Sequence, residues 1–258
     1  MMETMATTAH RSPRRTQALS RDVIVQAAID LLDAEGEDGL TLKALTVRLS
    51  TGYGAIYHHV ADRGDLLAAA TDHVIARVVT DSVASPAADA ADADADADAP
   101  AGAAADAEPR QVLRALALGL FDAIYAHPWA GAQLTREPWR PALLDIYESI
   151  AAQLRGLAVP DGALSDSAGV LVNYIFGVAG QNAANARALA DSKMDRSEFL
   201  ADVAARWARL DPARYPSMHQ ARTHLREHDD REQFLTGIGL ILAGIETVNR
   251  VTENDRAR

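Results

Sequence analysis

At 258 residues and 48% hydrophobic, the chain is long enough to bury a sizeable core, and its net charge of −11 argues at first against a nucleic-acid partner. It has no cysteine, which excludes disulfides and thiolate metal sites and suits a reducing compartment. No run reaches the roughly eighteen continuous apolar residues of a membrane span, and MMETMATTAHRSPRRTQ has no apolar stretch behind its charges, so no membrane contact, no secretory signal and a soluble cytoplasmic protein are expected.

Residues 1–19 read as a flexible basic arm: Arg11, Arg14 and Arg15, with Arg21 just beyond, face the single acid Glu3. Such an arm is placed to reach a phosphate backbone or a minor groove. A first helix follows, with Ser20 as N-cap and Asp22 in its first turn, where a carboxylate meets the positive end of the helix dipole. Val23, Ile24, Ala27, Ala28, Leu31 and Leu32 form one apolar stripe, and Gly36 stands where a left-handed residue would stop the helix. Thr41 caps a short second helix whose Leu42, Leu45 and Leu49 face inward. Ser50-Thr51-Gly52 is the turn, with Gly52 assigned both the unusual dihedrals and an N-cap role. A third helix of about 53–59 buries Ile56 and Val60, and Asp62 opens a fourth, with Asp65 completing a weak capping box.

Three helices this short must share one core. With Ile56 and Val60 turned inward, Tyr53, Ala55, Tyr57, His58 and His59 are left outward or at the edge. Two aromatics and two histidines on one exposed turn call for a partner, and a duplex groove provides one. Thr51 and Ala55 can touch a thymine methyl, a histidine can donate to guanine or phosphate, and Gly52 and Gly54 permit close approach. The helix's N-terminal amides would point at phosphate.

The apolar helix ending in AEG, then GLTLKALTVRL, then GAIYHHV and the following LL make residues of about 21–67 resemble the DNA-binding domain of the TetR family of one-component bacterial regulators. The form IYHHV resembles the tetracycline-repressor branch in particular. The resemblance implies that Tyr53, Gly54, Ala55, Tyr57 and His58 meet bases and phosphates, and that Thr41, Lys43, His59 and Arg63 grip the backbone. Gly52 stands where the family often has Ser, and Gly54 where it often has Pro or another small residue, so no operator sequence carries over.

The expected organisation is a reader over 20–67, a connecting helix over 68–83, a disordered Ala/Asp-rich linker over 84–108, a helical domain over 109–252 and a tail over 253–258. The linker holds seven acidic and no basic residues, leaving −4 for the rest of the chain. Local distribution, not the total, decides whether DNA can be held.

Beyond the linker the periodicity is helical throughout and no alternating strand pattern appears, so the fold is expected to be all-α. Pro128 ends a helix over 110–127; others follow over 141–157, 167–185, 196–210 and 230–251. The 167–185 and 230–251 helices are apolar over more than one stripe, so a second face must be buried somewhere. Pairing with a second copy as a four-helix interface is expected, through Tyr174, Val178, Leu235, Ile238, Leu242 and Ile245. Such a homodimer would hold two readers about 34–36 Å apart, matching one turn of a palindromic site. His127, Trp129, Trp139, Asn173, Tyr174 and Asn182 mix aromatic bodies with hydrogen-bonding groups and are the expected lining of an effector cavity.

His224 and His228 have a metal-compatible spacing, but with no cysteine or firmly placed carboxylate no metal site is assigned. There is no G-x-S-x-G elbow, phosphate-binding glycine loop or HExxH pair, and neither catalysis nor a cofactor is expected. The expected function is a dimeric repressor that leaves a double-stranded operator when a small molecule binds its helical domain. An effector-independent regulator or activator, or an all-helical enzyme or partner-binding module with a coincidental helix-turn-helix, are the alternatives.

Overall fold

The computed structural model describes residues 19–84, 101–136 and 139–256, with helices and no strand among them. The reader comprises α1 (Arg21–Gly39), α2 (Leu42–Leu49) and α3 (Tyr53–Tyr57), and α4 (Arg63–Ala84) leaves it. The second unit comprises α5 (Ala101–Ala126), α6 (Pro128–Arg136), α7 (Pro141–Gly156), α8 (Asp161–Ser192), α9 (Arg196–Ala208), α10 (Pro216–Ala221) and α11 (Asp230–Arg256), with a 3₁₀ turn at Leu225–Glu227.

The reader's caps follow its sequence closely. The Ser20 hydroxyl accepts from the Val23 amide at 3.3 Å and Thr41 Oγ1 from the Ala44 amide at 3.1 Å. Gly36 has φ 70°, ψ −169° and breaks α1 near its end. Asp62 Oδ1 accepts from the Asp65 amide at 2.8 Å, while Asp65 Oδ2 accepts from the Ala61 amide at 2.9 Å. The turn after α2 differs from expectation. Its left-handed residue is Ser50, at φ 50°, and Gly52 is an extended N-cap at φ −95°. The cause is the helix ending itself: the Thr51 amide returns to Thr46 O at 3.1 Å and the Ser50 amide to Val47 O at 3.3 Å, and that pair of bonds needs a left-handed residue directly after Leu49.

Two hydrophobic clusters meet along α4. Ile24, Ala28, Leu32, Leu40, Leu45, Ile56 and Val60 pack with Leu66, Leu67, Ala70 and Val74 to form the reader core. Each such leucine or isoleucine contributes roughly 1.5–3 kcal/mol by leaving water. Trp129 and Ala130 of α6 close this cluster from the far side. One residue beyond Val74, Ile75 belongs to the second cluster, with Leu116, Leu120, Phe121, Ile146, Leu171, Ile175 and Phe234. Phe234 is fully buried between Phe121 (ring centroids 4.7 Å) and Tyr174 (5.6 Å).

Several boundaries move. Helix α5 begins at Ala101 and carries Pro109 inside it, so 101–108 of the expected linker is helical, in keeping with the high helix propensity of its alanines. The basic arm through residue 18 and the acidic stretch 85–100 lie outside the described residues. The short helices α6 and α10 were not expected.

Two of the expected dimer contacts, Ile238 and Leu242, need correction. Ile238 and Leu242 are buried inside the subunit, Val178, Leu235 and Ile245 pack against the same core, and Tyr174 stacks on Phe234. The apolar residues left in solvent on these helices are Val170 of α8 and Leu240, Val248 and Val251 of α11. The windows Asp161–Leu189 and Asp230–Val251 are long and apolar enough to cross a membrane by composition, although continuous runs of that length are absent; only 17% of the α11 window is buried. Both stripes of α11 are apolar as expected, and Ile238 and Leu242 lie on the inner one while Leu235 and Ile245 are half-buried between the two.

Candidate DNA-reading face, domain junction and candidate ligand cavity

Buried Ile56 and Val60 fix the orientation of α3. Tyr53 and Tyr57 are each 51% exposed on its outer side, beside exposed Gly52, Gly54 and His58, with Thr51, Ala55 and His59 half-buried at the edge. A Cβ built on Gly52 or Gly54 meets nothing within 4 Å. Neither glycine is required by the protein's own packing, so the space beside them is available to a partner's backbone. Lys43 is exposed on α2, and Thr41 is exposed while capping that helix.

Arg63 is exposed but tethered. Its Nε donates to Leu40 O at 2.9 Å and its guanidinium also donates to Glu37 O, tying the start of α4 to the end of α1. Arg63, implied to grip the backbone, thus also has a structural role. Arg21 donates to His59 O at 3.3 Å and pairs with Asp65 at 3.3 Å, which holds the end of α3 against α1.

Two carboxylates of α1 join the reader to α6. Asp33 Oδ1 lies 2.7 Å from His127 Nδ1 and accepts from Trp129 Nε1 at 2.8 Å. One turn on, Glu37 accepts from Gln133 Nε2 and from Arg136, each at 3.0 Å. His127 and Trp129, expected in an effector cavity, are both held in this clamp; His127 also borders a hollow between α1, α4 and α5, and Trp129 is buried in the reader cluster. An exposed-looking His-Pro-Trp at a helix start gives no sequence signal for this, because its partner carboxylate is more than ninety positions away. Trp139 is 71% exposed and Asn173 is exposed, so neither lines an enclosed cavity; Tyr174 donates its hydroxyl to Phe234 O at 3.2 Å. Burial raises the Tyr174 hydroxyl pKa.

A cavity of ≈ 540 Å³ opens between α8, α9 and the start of α11. Of the expected lining only Asn182 is there. Val178, Phe199, Leu200, Val203 and Trp207 supply apolar surface, and Tyr125, Gln181, Asn185 and Gln233 supply hydrogen-bonding groups. Arg196 at the head of α9 pairs with Asp230 at 2.9 Å and donates to His228 O at 2.9 Å, while His228 Nε2 lies 3.2 Å from Asp230 Oδ1. This knot pins α9 over the cavity. Asp229 beside it caps α11, and the Glu232 and Arg231 amides lower its carboxyl pKa. His224 and His228 flank the 3₁₀ turn rather than sharing an α-helical face.

A short helix-turn-helix under a larger, cavity-bearing helical unit defines a one-component transcription regulator. Residues 104–249 match the family described as tetracyclin repressor-like, C-terminal domain. The solved structure of SCO7222, a TetR transcriptional regulator from Streptomyces coelicolor, is 43% identical, with a TM-score of 0.71 over 90% of this chain and 99% of that one. The HTH-type transcriptional repressor DrrR1 of Streptomyces coeruleorubidus is 28% identical over 243 residues, 92% of this chain and 80% of that protein. The TetR family protein ActR of Streptomyces coelicolor, solved in complex with actinorhodin, shares the fold at 22% identity and a TM-score of 0.63 over 89% of this chain and 96% of that one. The chain belongs to the TetR family of transcriptional regulators.

Proposed function

We propose that this protein acts as a cytoplasmic homodimer that occupies a palindromic operator and is released by a small molecule entering the α8–α9–α11 cavity. The observation that carries the reading is the outer face of α3. Tyr53, Gly54, Tyr57 and His58 stand open on a helix whose other side is locked by Ile56 and Val60. Tyr53, Ala55, Tyr57 and His58 would read bases and phosphates, with Thr41, Lys43, Thr51 and His59 at the rim. The solvent-facing stripe of Val170 on α8 and Leu240, Val248 and Val251 on α11 supports a four-helix dimer interface.

The cavity supports a ligand that is flat or elongated, largely apolar and edged with hydroxyl or carbonyl groups, because an apolar wall faces a belt of amides. That ActR was solved with actinorhodin fits such a class. The ligand can release DNA only through its differential affinity for the two arrangements of the readers. Helix α4, shared by both cores, is the element whose tilt would differ between them.

Gel-shift titration against the DNA upstream of the protein's own gene tests the reading face. Tyr57→Ala combined with Lys43→Ala should weaken binding at least about tenfold while leaving the dimer intact, since each removes a contact of roughly 1 kcal/mol or more. Unchanged affinity in the double variant would move the docking face elsewhere. Leu240→Arg should give monomers in sedimentation with unaltered helicity; a persistent dimer would reject the α8/α11 interface.

A further inference from the structure

A second hollow of ≈ 370 Å³ lies between α1, α4 and the end of α5, and it shares no lining residue with the effector cavity. Its apolar surface is Ile29, Val74, Val78 and Ala123. His73 and Arg77 face it from α4, four residues apart and so on one side of that helix. Among the described residues neither side chain has a hydrogen-bond or ion-pair partner in the protein. Of the other polar walls, Asp33 holds His127 and Trp129 and Gln26 donates to Asp30 at 3.0 Å, while Asp81, one turn beyond Arg77, leaves one carboxylate on the rim. The site thus offers an apolar floor with two adjacent unengaged donors, one of them a guanidinium.

We infer that this hollow binds a small apolar monocarboxylate. Its carboxylate would sit between Arg77 and His73, where charge-assisted bonds are strongest, and its ring or chain would lie on Ile29, Val74 and Val78. Asp33 and Asp81 on the same walls repel a second negative charge, which selects a monoanion over a phosphate ester. The occupant would touch α1 of the reader and the shared helix α4 together, at the Asp33–His127 clamp. It would therefore be an input to the regulator separate from the larger cavity.

Calorimetric titration of the full-length protein with octanoate and with benzoate tests this, at up to about 10 mM so that a site with Kd near 1 mM would fill. Saturable binding of at least one acid is expected, weakened about tenfold or more by Arg77→Gln, which removes a charged donor from an exposed position, and tightened by Asp81→Asn. Val203→Trp, which obstructs the larger cavity, should leave it unchanged. Hydrogen exchange should slow around Ile29 and Val74 on adding the acid, a readout that does not depend on any variant folding. Absence of binding by the unmodified protein, binding that survives Arg77→Gln, or binding lost in a folded Val203→Trp would each overturn the inference. The last result would place the acid in the larger cavity.

Discussion

Replacing Asp33 with alanine removes the acceptor that joins α1 to two donors of the other domain, His127 at 2.7 Å and Trp129 at 2.8 Å. A hydrogen bond to a charged group contributes roughly 1.5–3 kcal/mol. The His127 and Asp33 side chains are 25% and 34% exposed, so solvent screens the pair and the lower end of that range applies. Trp129 is buried, and its indole N–H would be left without a partner, which costs about 1–3 kcal/mol. The expected loss is about 2–4 kcal/mol. Asp33→Asn keeps an acceptor oxygen and should lose about half as much. Guanidinium unfolding followed by circular dichroism, at one fixed protomer concentration, measures both. A double-mutant cycle with Trp129→Phe should return a coupling of about 1 kcal/mol or more. If Asp33→Ala stays within about 0.5 kcal/mol of the unmodified protein, or the two changes simply add, the clamp does not join the domains.

Gly237→Ala should destabilise by about 1–3 kcal/mol in the same unfolding experiment despite alanine's better helix propensity, because the new methyl would lie 1.8 Å from the Tyr174 hydroxyl and 2.4 Å from Cζ. Gly54→Ala meets no atom within 4 Å, so stability should hold or rise by up to about 1 kcal/mol. Operator affinity measured by gel shift should nevertheless fall about tenfold as the methyl holds the duplex away; an unchanged affinity would mean no DNA approaches there. Burial raises the Asp72 carboxyl pKa above its ordinary 3.8, although the Arg140 guanidinium opposes this. The folded state then holds this proton at pH values where the unfolded chain has lost it, so the group favours folding at low pH and that advantage disappears as pH rises through the folded pKa. Stability of the native protein relative to Asp72→Asn should therefore decline on going from about pH 4 upward, and a flat difference across pH 4–7 would contradict it.

The reader was legible because its signals are local. Ser20, Thr41 and Asp62 cap from within three residues, and the inward spacing of Ile56 and Val60 fixes which side of α3 is open. The second domain was legible as helices but not as a site. On α8 and α11 both stripes are apolar, and periodicity alone does not say which one meets the subunit's own core. Phe234, stacked between Phe121 and Tyr174, settles it through contacts far apart in sequence. His127 and Trp129 have the composition of a ligand pocket, yet a distant carboxylate claims both. Ser50 took the left-handed position ahead of a nearby glycine because the hydrogen bonds ending α2 dictate the place, not the residue most suited to it.

The reader's hydrophobic cluster is completed by Trp129 and Ala130, which the chain supplies only after it has left that domain and traversed α5. A fragment ending anywhere before α6 would expose an indole-sized hole on α1. Grafting this operator specificity onto a foreign sensor thus takes two cuts rather than one, with α6 travelling alongside the first four helices. Recombination at the acidic stretch alone would yield chimeras that unravel at the reader first.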